Sequence, residues 1–106
     1  MKIGIVLETK EAEKAWNAFR FGVKALGDDH EVRFFLMGEA VECEGVAEEP
    51  YNAAAQMRLF LDGGGTLLAC GTCLRSRNME GGETCPVSTM QDLLDLVVWA
   101  DRVVNF

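Results

Sequence analysis

The amino-acid sequence predicts a three-layer α/β/α domain built on a central, mainly parallel sheet of four to five strands. Three observations carry this expectation. Short apolar runs such as KIGIVL (residues 2–7) and TLLAC (66–70) lack the polar alternation of a one-sided sheet and suit strands buried on both faces. Segments with helical spacing separate these runs, and no hairpin turn joins any two of them. Right-handed crossovers then leave few topologies. A length of 106 residues fits one domain, 1–106, with a single core.

After the first strand, Thr9 is positioned to cap a helix in which Ala12, Ala15, Trp16, Phe19, Val23 and Leu26 share a face. Gly27-Asp28-Asp29 ends it. Residues 31–37, EVRFFLM, form the second strand, and Gly38 breaks it. EAVECEGVAEE suits a short helix that loosens at Gly45. Pro50 fits the first turn of a further helix with Ala54, Met57, Phe60 and Leu61 inward, stopped by Gly63-Gly64-Gly65. The third strand is 66–70, and a short helix follows Gly71 through LRSR. Gly81-Gly82 makes a turn, and 83–87 suit a short fourth strand. Ser88 and Gln91 form a capping box for a helix whose inward stripe is Leu93, Leu94, Val97 and Val98, with Met90. RVVN, 102–105, is the last strand.

Composition narrows function. A formal net charge of −7 and a pI near 4.6 argue against nucleic acid and against anionic membrane surfaces. No stretch has the length of a membrane-spanning helix. The N-terminal MKIGIVLETKEAEK is not a secretory signal, because its apolar run is short and acidic residues follow at once. A cytoplasmic location is expected, so four cysteines point to chemistry, metal or packing and not to a disulfide framework.

In an open parallel sheet, sites form beyond the carboxyl ends of the strands. Those ends are Glu8-Thr9, Gly38-Glu39 and Cys70-Gly71. Cys70 is the strong nucleophile among them. Backbone N–H groups from Gly71 and Thr72 onward favour its thiolate, and Arg75 and Arg77 add positive potential. Cys73, three residues on, is placed to resolve a mixed disulfide or to face the core. Cys85 is a third thiol near the same segment, with Glu8 and Glu39 as accessory groups. Cys43 lies between Glu42 and Glu44, whose charges raise a thiol pKa and make it a poor nucleophile. Four thiols keep zinc open as an alternative, but no second C-x-x-C or His pair completes a zinc pattern, so no metal and no cofactor are expected. His30 falls at the amino end of the second strand and reads as a surface residue. Tyr51 and Trp99 are candidates for a contact between copies.

MKIGIVLET, EVRFFLMGEAV, LLACGTCLRSRNM and PVSTMQDLLDLVVWADRVVNF together resemble, in order and spacing, the DsrE/DsrF-like family, with subunits of the DsrEFH and TusBCD sulfur-relay complexes among its members. The resemblance covers nearly the whole chain and is strongest for small single-gene members with a C-G-x-C motif. It implies homotrimers or homohexamers and, in relay members, a sulfur-carrier cysteine at a strand end followed by an Arg-Gly pair. Cys70 holds the cysteine position, Arg77 the arginine, and Asn78 stands for the glycine, a substitution that left-handed backbone tolerates. Relay members usually lack a thiol at the position of Cys73. The resemblance implies a sulfur carrier that takes sulfane sulfur from a donor protein as a Cys70 persulfide and passes it to an acceptor protein. Two other readings stay open: an oligomeric small-ligand-binding module with structural cysteines, and a C-x-x-C dithiol redox protein.

Overall fold

A computed structural model describes residues 1–81 and 86–106. Five strands form one sheet: β1 (Lys2–Leu7), β2 (Glu31–Leu36), β3 (Thr66–Cys70), β4 (Val87–Ser88) and β5 (Arg102–Asn105). Their order is β4-β3-β2-β1-β5, and every pair is parallel. Four helices connect them: α1 (Ala12–Gly27), α2 (Ala53–Asp62), α3 (Gly71–Arg75) and α4 (Met90–Trp99). Residues Gly38–Gly45, the segment expected as a loose helix, wind as a 3₁₀ stretch. The three-layer expectation therefore holds. Cys85 and most of the expected 83–87 strand lie outside the described residues; Val87 and Ser88 pair with Ala69 and Cys70.

Alternation divides the sheet residues between two faces. Ile3, Ile5, Leu7, Val32, Phe34, Leu36, Leu67 and Ala69 join the core under α1 and α2. Phe34 stacks on Phe19 of α1 at 4.4 Å and meets Phe60 of α2 edge-on at 5.5 Å. Phe35 and Cys70 point the other way and meet Leu96 of α4, with Met37, Leu68 and Leu93 beside them. Leu96 approaches so closely because Gly4 leaves room: a Cβ there would stand 2.5 Å from Leu96 Cδ2.

Four local expectations change. Thr9 lies too early to cap α1; the Glu11 side chain accepts from the N–H groups of Glu13 and Lys14, and Thr9 Oγ1 instead accepts from Glu11 N at 3.0 Å. Pairing with Cys70 draws Ser88 into the sheet, where its hydroxyl donates to the Pro86 carbonyl. The capping box of α4 consequently moves one residue on, to Thr89 and Asp92. Asn52 caps α2 by accepting from Ala55 N, leaving Pro50 in the bend ahead of it. The inward stripe of α4 is also rotated. Leu96 is the buried residue, Leu93 is half-buried, and Leu94, Val97 and Val98 face outward. Gln91, Asp92 and Asp95 share one face of this helix, so periodicity points to the opposite stripe, which the single chain leaves largely uncovered.

Candidate functional site

The carboxyl ends of β2 and β3 lie side by side, and each chain turns there through a glycine. Gly71 begins α3 against β4. A Cβ on it would stand 2.9 Å from Val87 Cγ1 and 3.1 Å from the Ser88 carbonyl oxygen, so the close approach of the two segments excludes a side chain. Gly38 adopts φ +58° and begins the 3₁₀ stretch. At the far end of α3, Asn78 takes the left-handed conformation at φ +54°, which asparagine tolerates.

Cys70 caps the N-terminus of α3 and Cys73 sits one turn later. Both line a cleft of about 360 Å³ with Thr72, Arg75, Ser88 and Met90. Cys70 is only 7% exposed, while Cys73 is half-buried. Burial pushes the Cys70 thiol up, but hydrogen bonds from the Cys73 thiol and from the Cys73 and Thr72 N–H groups outweigh it, aided by the Arg75 charge. The net effect lowers the Cys70 pKa below the ordinary thiol value. Cys73 moves the opposite way: burial and its role as donor to Cys70 raise it, against the Gly38 N–H that donates to its sulfur at 3.1 Å. The two thiols thus differ in acidity. Cys70 is the more readily ionised and Cys73 the less.

The two arginines part. Arg75 stays beside the cleft and donates to Thr72 Oγ1 at 3.3 Å. Arg77 turns to Glu42, Nε to Oε2 at 3.1 Å, and donates from Nη1 to the Cys73 carbonyl at 3.2 Å. Glu42 also pairs with Lys10 at 3.4 Å, tying the 3₁₀ stretch to both neighbouring loops. Glu39 accepts from Thr9 Oγ1 at 3.0 Å and Lys10 N at 3.1 Å, and Glu8 is exposed at the end of β1, so neither carboxylate joins the residues lining the cysteine cleft. Cys43 is fully buried on the opposite face of the sheet, its thiol donating to the Thr9 carbonyl at 3.8 Å. His30 stands at the amino end of β2, its Nδ1 2.6 Å from the N-terminal ammonium.

Sequence reasoning missed the Gly38 N–H and the Ser88 and Met90 walls. The first depends on the strand order: with β2 and β3 neighbours, the glycine after β2 comes beside the turn that carries both thiols, and its N–H reaches Cys73. The walls depend on β4, whose two residues leave almost no pattern to detect. Tyr51 and Trp99 are satisfied within the chain, Tyr51 edge-on to Trp16 at 5.2 Å and Trp99 under the Arg33 guanidinium at 4.0 Å. Exposed apolar side chains gather on α4, where Leu94 is 53% and Val98 76% exposed. Leu94, Val97 and Met90 line a shallow groove of about 470 Å³, and Met90 also borders the cysteine cleft.

Fold and site together define a parallel α/β domain that presents a dithiol at the carboxyl edge of its sheet. The profile of the DsrE/DsrF-like family matches residues 1–106, and the chain belongs to that family. An uncharacterized protein of Methanopyrus kandleri is 29% identical over 100 residues, covering 89% of this chain and 83% of the relative. One of Methanocaldococcus jannaschii is 29% identical over 100 residues, covering 89% and 88%. The crystal structure of the ychN protein from E. coli superimposes with a TM-score of 0.86 at 22% identity, covering 100% of this chain and 99% of that one. A conserved protein of unknown function from Bacteroides thetaiotaomicron does so with 0.77 at 16% identity, covering 99% and 94%. These two likenesses show the fold.

Proposed function

We propose that this chain is a sulfur-relay protein whose carrier is Cys70. The observation that supports it most is the placement of Cys70 at the carboxyl end of β3 and the N-terminus of α3, lining a cleft, where its thiol is the one lowered. Membership of a family associated with sulfur relay points the same way. The Cys70 thiolate attacks the outer sulfur of a donor protein's persulfide. The donor's S–S bond breaks, its thiolate leaves, and Cys70 holds the sulfane sulfur as a persulfide. An acceptor protein's thiolate then takes that outer sulfur and Cys70 is restored, with no net change of redox state. Cysteine, Arg75 and backbone N–H groups suffice for this chemistry without a cofactor.

A reducing, cytoplasmic setting suits a thiolate carrier. Among the described residues, no helix is long and apolar enough to cross a membrane. The apolar outer face of α4 supports association between copies, for which the family resemblance implies a homotrimer or homohexamer, and its continuity with the cleft through Met90 would let a neighbouring copy shield the persulfide from water.

The test is sulfur loading. The reduced protein is offered a persulfide donor and read by intact mass and peptide mapping, beside Cys70→Ser. Uptake on Cys70 that disappears in Cys70→Ser is expected. Uptake undiminished by that substitution would refute the carrier assignment. If Cys70 also alkylates slowly at neutral pH, its 7% exposure would favour an oligomeric ligand-binding module with structural cysteines.

A further inference from the structure

The carrier reading uses Cys70 and leaves Cys73 as a hydrogen-bond donor. Three observations ask more of it. Cys70 and Cys73 line the same cleft, close enough that each alters the other's ionisation. The two residues are spaced i, i+3 across the start of one helical turn and so are neighbours on its surface, the C-x-x-C spacing that lets one thiol exchange with a bond made on the other. Finally, an amide from a different segment, Gly38 N–H, is fixed on the Cys73 sulfur at 3.1 Å, so that sulfur is anchored and not free to rotate away.

We infer that Cys73 discharges the Cys70 persulfide, giving the chain a persulfide reductase activity that releases sulfide when no acceptor takes the sulfur. This rests on the carrier reading and adds a branch to it. Transfer to a partner requires attack on the outer sulfur of the persulfide, which faces the cleft. Discharge requires attack on the inner sulfur, Cys70 Sγ itself, and Cys73 stands beside that atom.

The step balances without another reactant. The Cys73 sulfur attacks Cys70 Sγ. The bond from Sγ to the outer sulfur breaks as the Cys70–Cys73 disulfide forms. The proton that Cys73 held leaves with the outer sulfur as hydrosulfide. The two cysteine sulfurs lose two electrons and the sulfane sulfur gains them. Gly38 N–H stabilises the negative charge that builds on Cys73 as its proton departs, which makes Gly38 a positioning residue. A second turnover requires a dithiol reductant to reopen the disulfide. Cys43 cannot substitute, because it is buried beneath the other face of the sheet.

The experiment is a single turnover on the full reduced chain. Glutathione persulfide carrying isotopically labelled sulfane sulfur loads the protein, excess donor is removed, and labelled sulfide is trapped over time. Peptide mapping follows the cysteines. Wild type is expected to release its label as sulfide in proportion to the Cys70–Cys73 disulfide formed. In Cys73→Ser the label stays on Cys70, with release slowed on the order of a hundredfold or more, because a thiol held in place reacts far faster than one in solution. Gly38→Ala keeps both thiols; it should load but release more slowly, with its release profile shifted to higher pH. Persistent labelled persulfide in wild type, with Cys73 still open to alkylation, overturns the inference and leaves the carrier reading standing. A disulfide mapped to any other pair also overturns it. If neither wild type nor Cys73→Ser holds label on Cys70 or releases it as sulfide, the carrier reading and the inference fall together.

Discussion

On one side of the sheet Phe34 is sealed between Phe19 and Phe60 under two helices; on the other, Phe35 meets Leu96 from a single ten-residue helix, whose Leu94 and Val98 stand in solvent. The same strands supply both faces, one residue apart. The side under α1 and α2 is a finished core. The side under α4 is thin, and its edge at β3 and β4 is where the thiols open onto a cleft. The dithiol sits where the two sides meet: Cys70 belongs to the thin side, and Cys73 packs against both.

The largest effects belong to the closed face. Phe34→Ala should cost about 3–5 kcal/mol, through lost burial and the cavity left between three rings. Leu96→Ala on the thin face should fall near the lower end of the range for such truncations, about 2–3 kcal/mol, because α4 can settle toward Gly4. Urea midpoints measure both. Equal costs would mean that the two faces are packed alike and that the contrast is only one of helix number. Next comes the outer surface of α4. Val98→Glu should change the folding stability of the isolated chain by no more than about 0.5 kcal/mol, since the side chain is exposed. If α4 is the face that copies share, the same change should weaken assembly by about 2 kcal/mol or more, visible as a fall in mass by sedimentation. An unchanged mass distribution would remove α4 from the interface.

Gly38→Ala tests the junction of the two regions. Holding a side chain at φ +58° costs about 1–2 kcal/mol, and the new Cβ would stand 3.3 Å from the Glu8 carbonyl oxygen. Thermal unfolding reads that cost. Cys73→Ala is milder for the fold but moves the chemistry. The wild-type Cys70 pKa is lowered in part by the Cys73 thiol, so removing that donor should move the pH midpoint of Cys70 alkylation upward. Cys73→Ser, which retains a donor, should fall between the two. A midpoint that does not move would show that backbone N–H groups alone hold the thiolate.

The closed face was the more legible in sequence for a physical reason. KIGIVL, EVRFFL and TLLAC are apolar on both sides, and α1 carries a clear inward stripe with Phe19 in it, so the periodicities agree with one another. Helix α4 defeated the same reasoning. With Gln91, Asp92 and Asp95 on one face, hydrophobicity points to Met90, Leu93, Leu94 and Val97, a stripe the single chain leaves largely exposed, and Gly4 on a distant strand decides that Leu96 is the contact. The site divided likewise. Cys70, Cys73, Thr72 and Arg75 were legible because they share one strand-to-helix turn, where local rules suffice. The separation of Arg75 from Arg77 was not, because it depends on Glu42, thirty-five residues away in sequence. Caps slipped by a residue or two where tertiary pairing competed for the same hydroxyl, as at Ser88.

The smallest expected effect concerns Glu39, which belongs to neither face but to the rim that joins them. The Lys10 backbone N–H and then the Thr9 hydroxyl donate to its carboxylate and hold its pKa below the ordinary glutamate value. A carboxyl whose pKa is lower folded than unfolded contributes stability above the unfolded value, about 4.3. That contribution is lost as pH falls through the folded value, because protonation then favours the unfolded chain. Glu39→Gln should therefore reduce stability slightly at neutral pH, and the deficit should shrink as pH drops below about 4. Because solvent reaches the carboxylate, added salt should weaken its attraction to Lys10 and Arg77 and leave the two hydrogen bonds. Paired urea titrations of wild type and Glu39→Gln across that range decide the matter. A deficit that persists unchanged in acid would mean that the substitution disturbs geometry and not charge, and that the loop after β1 is held by the shape of the rim.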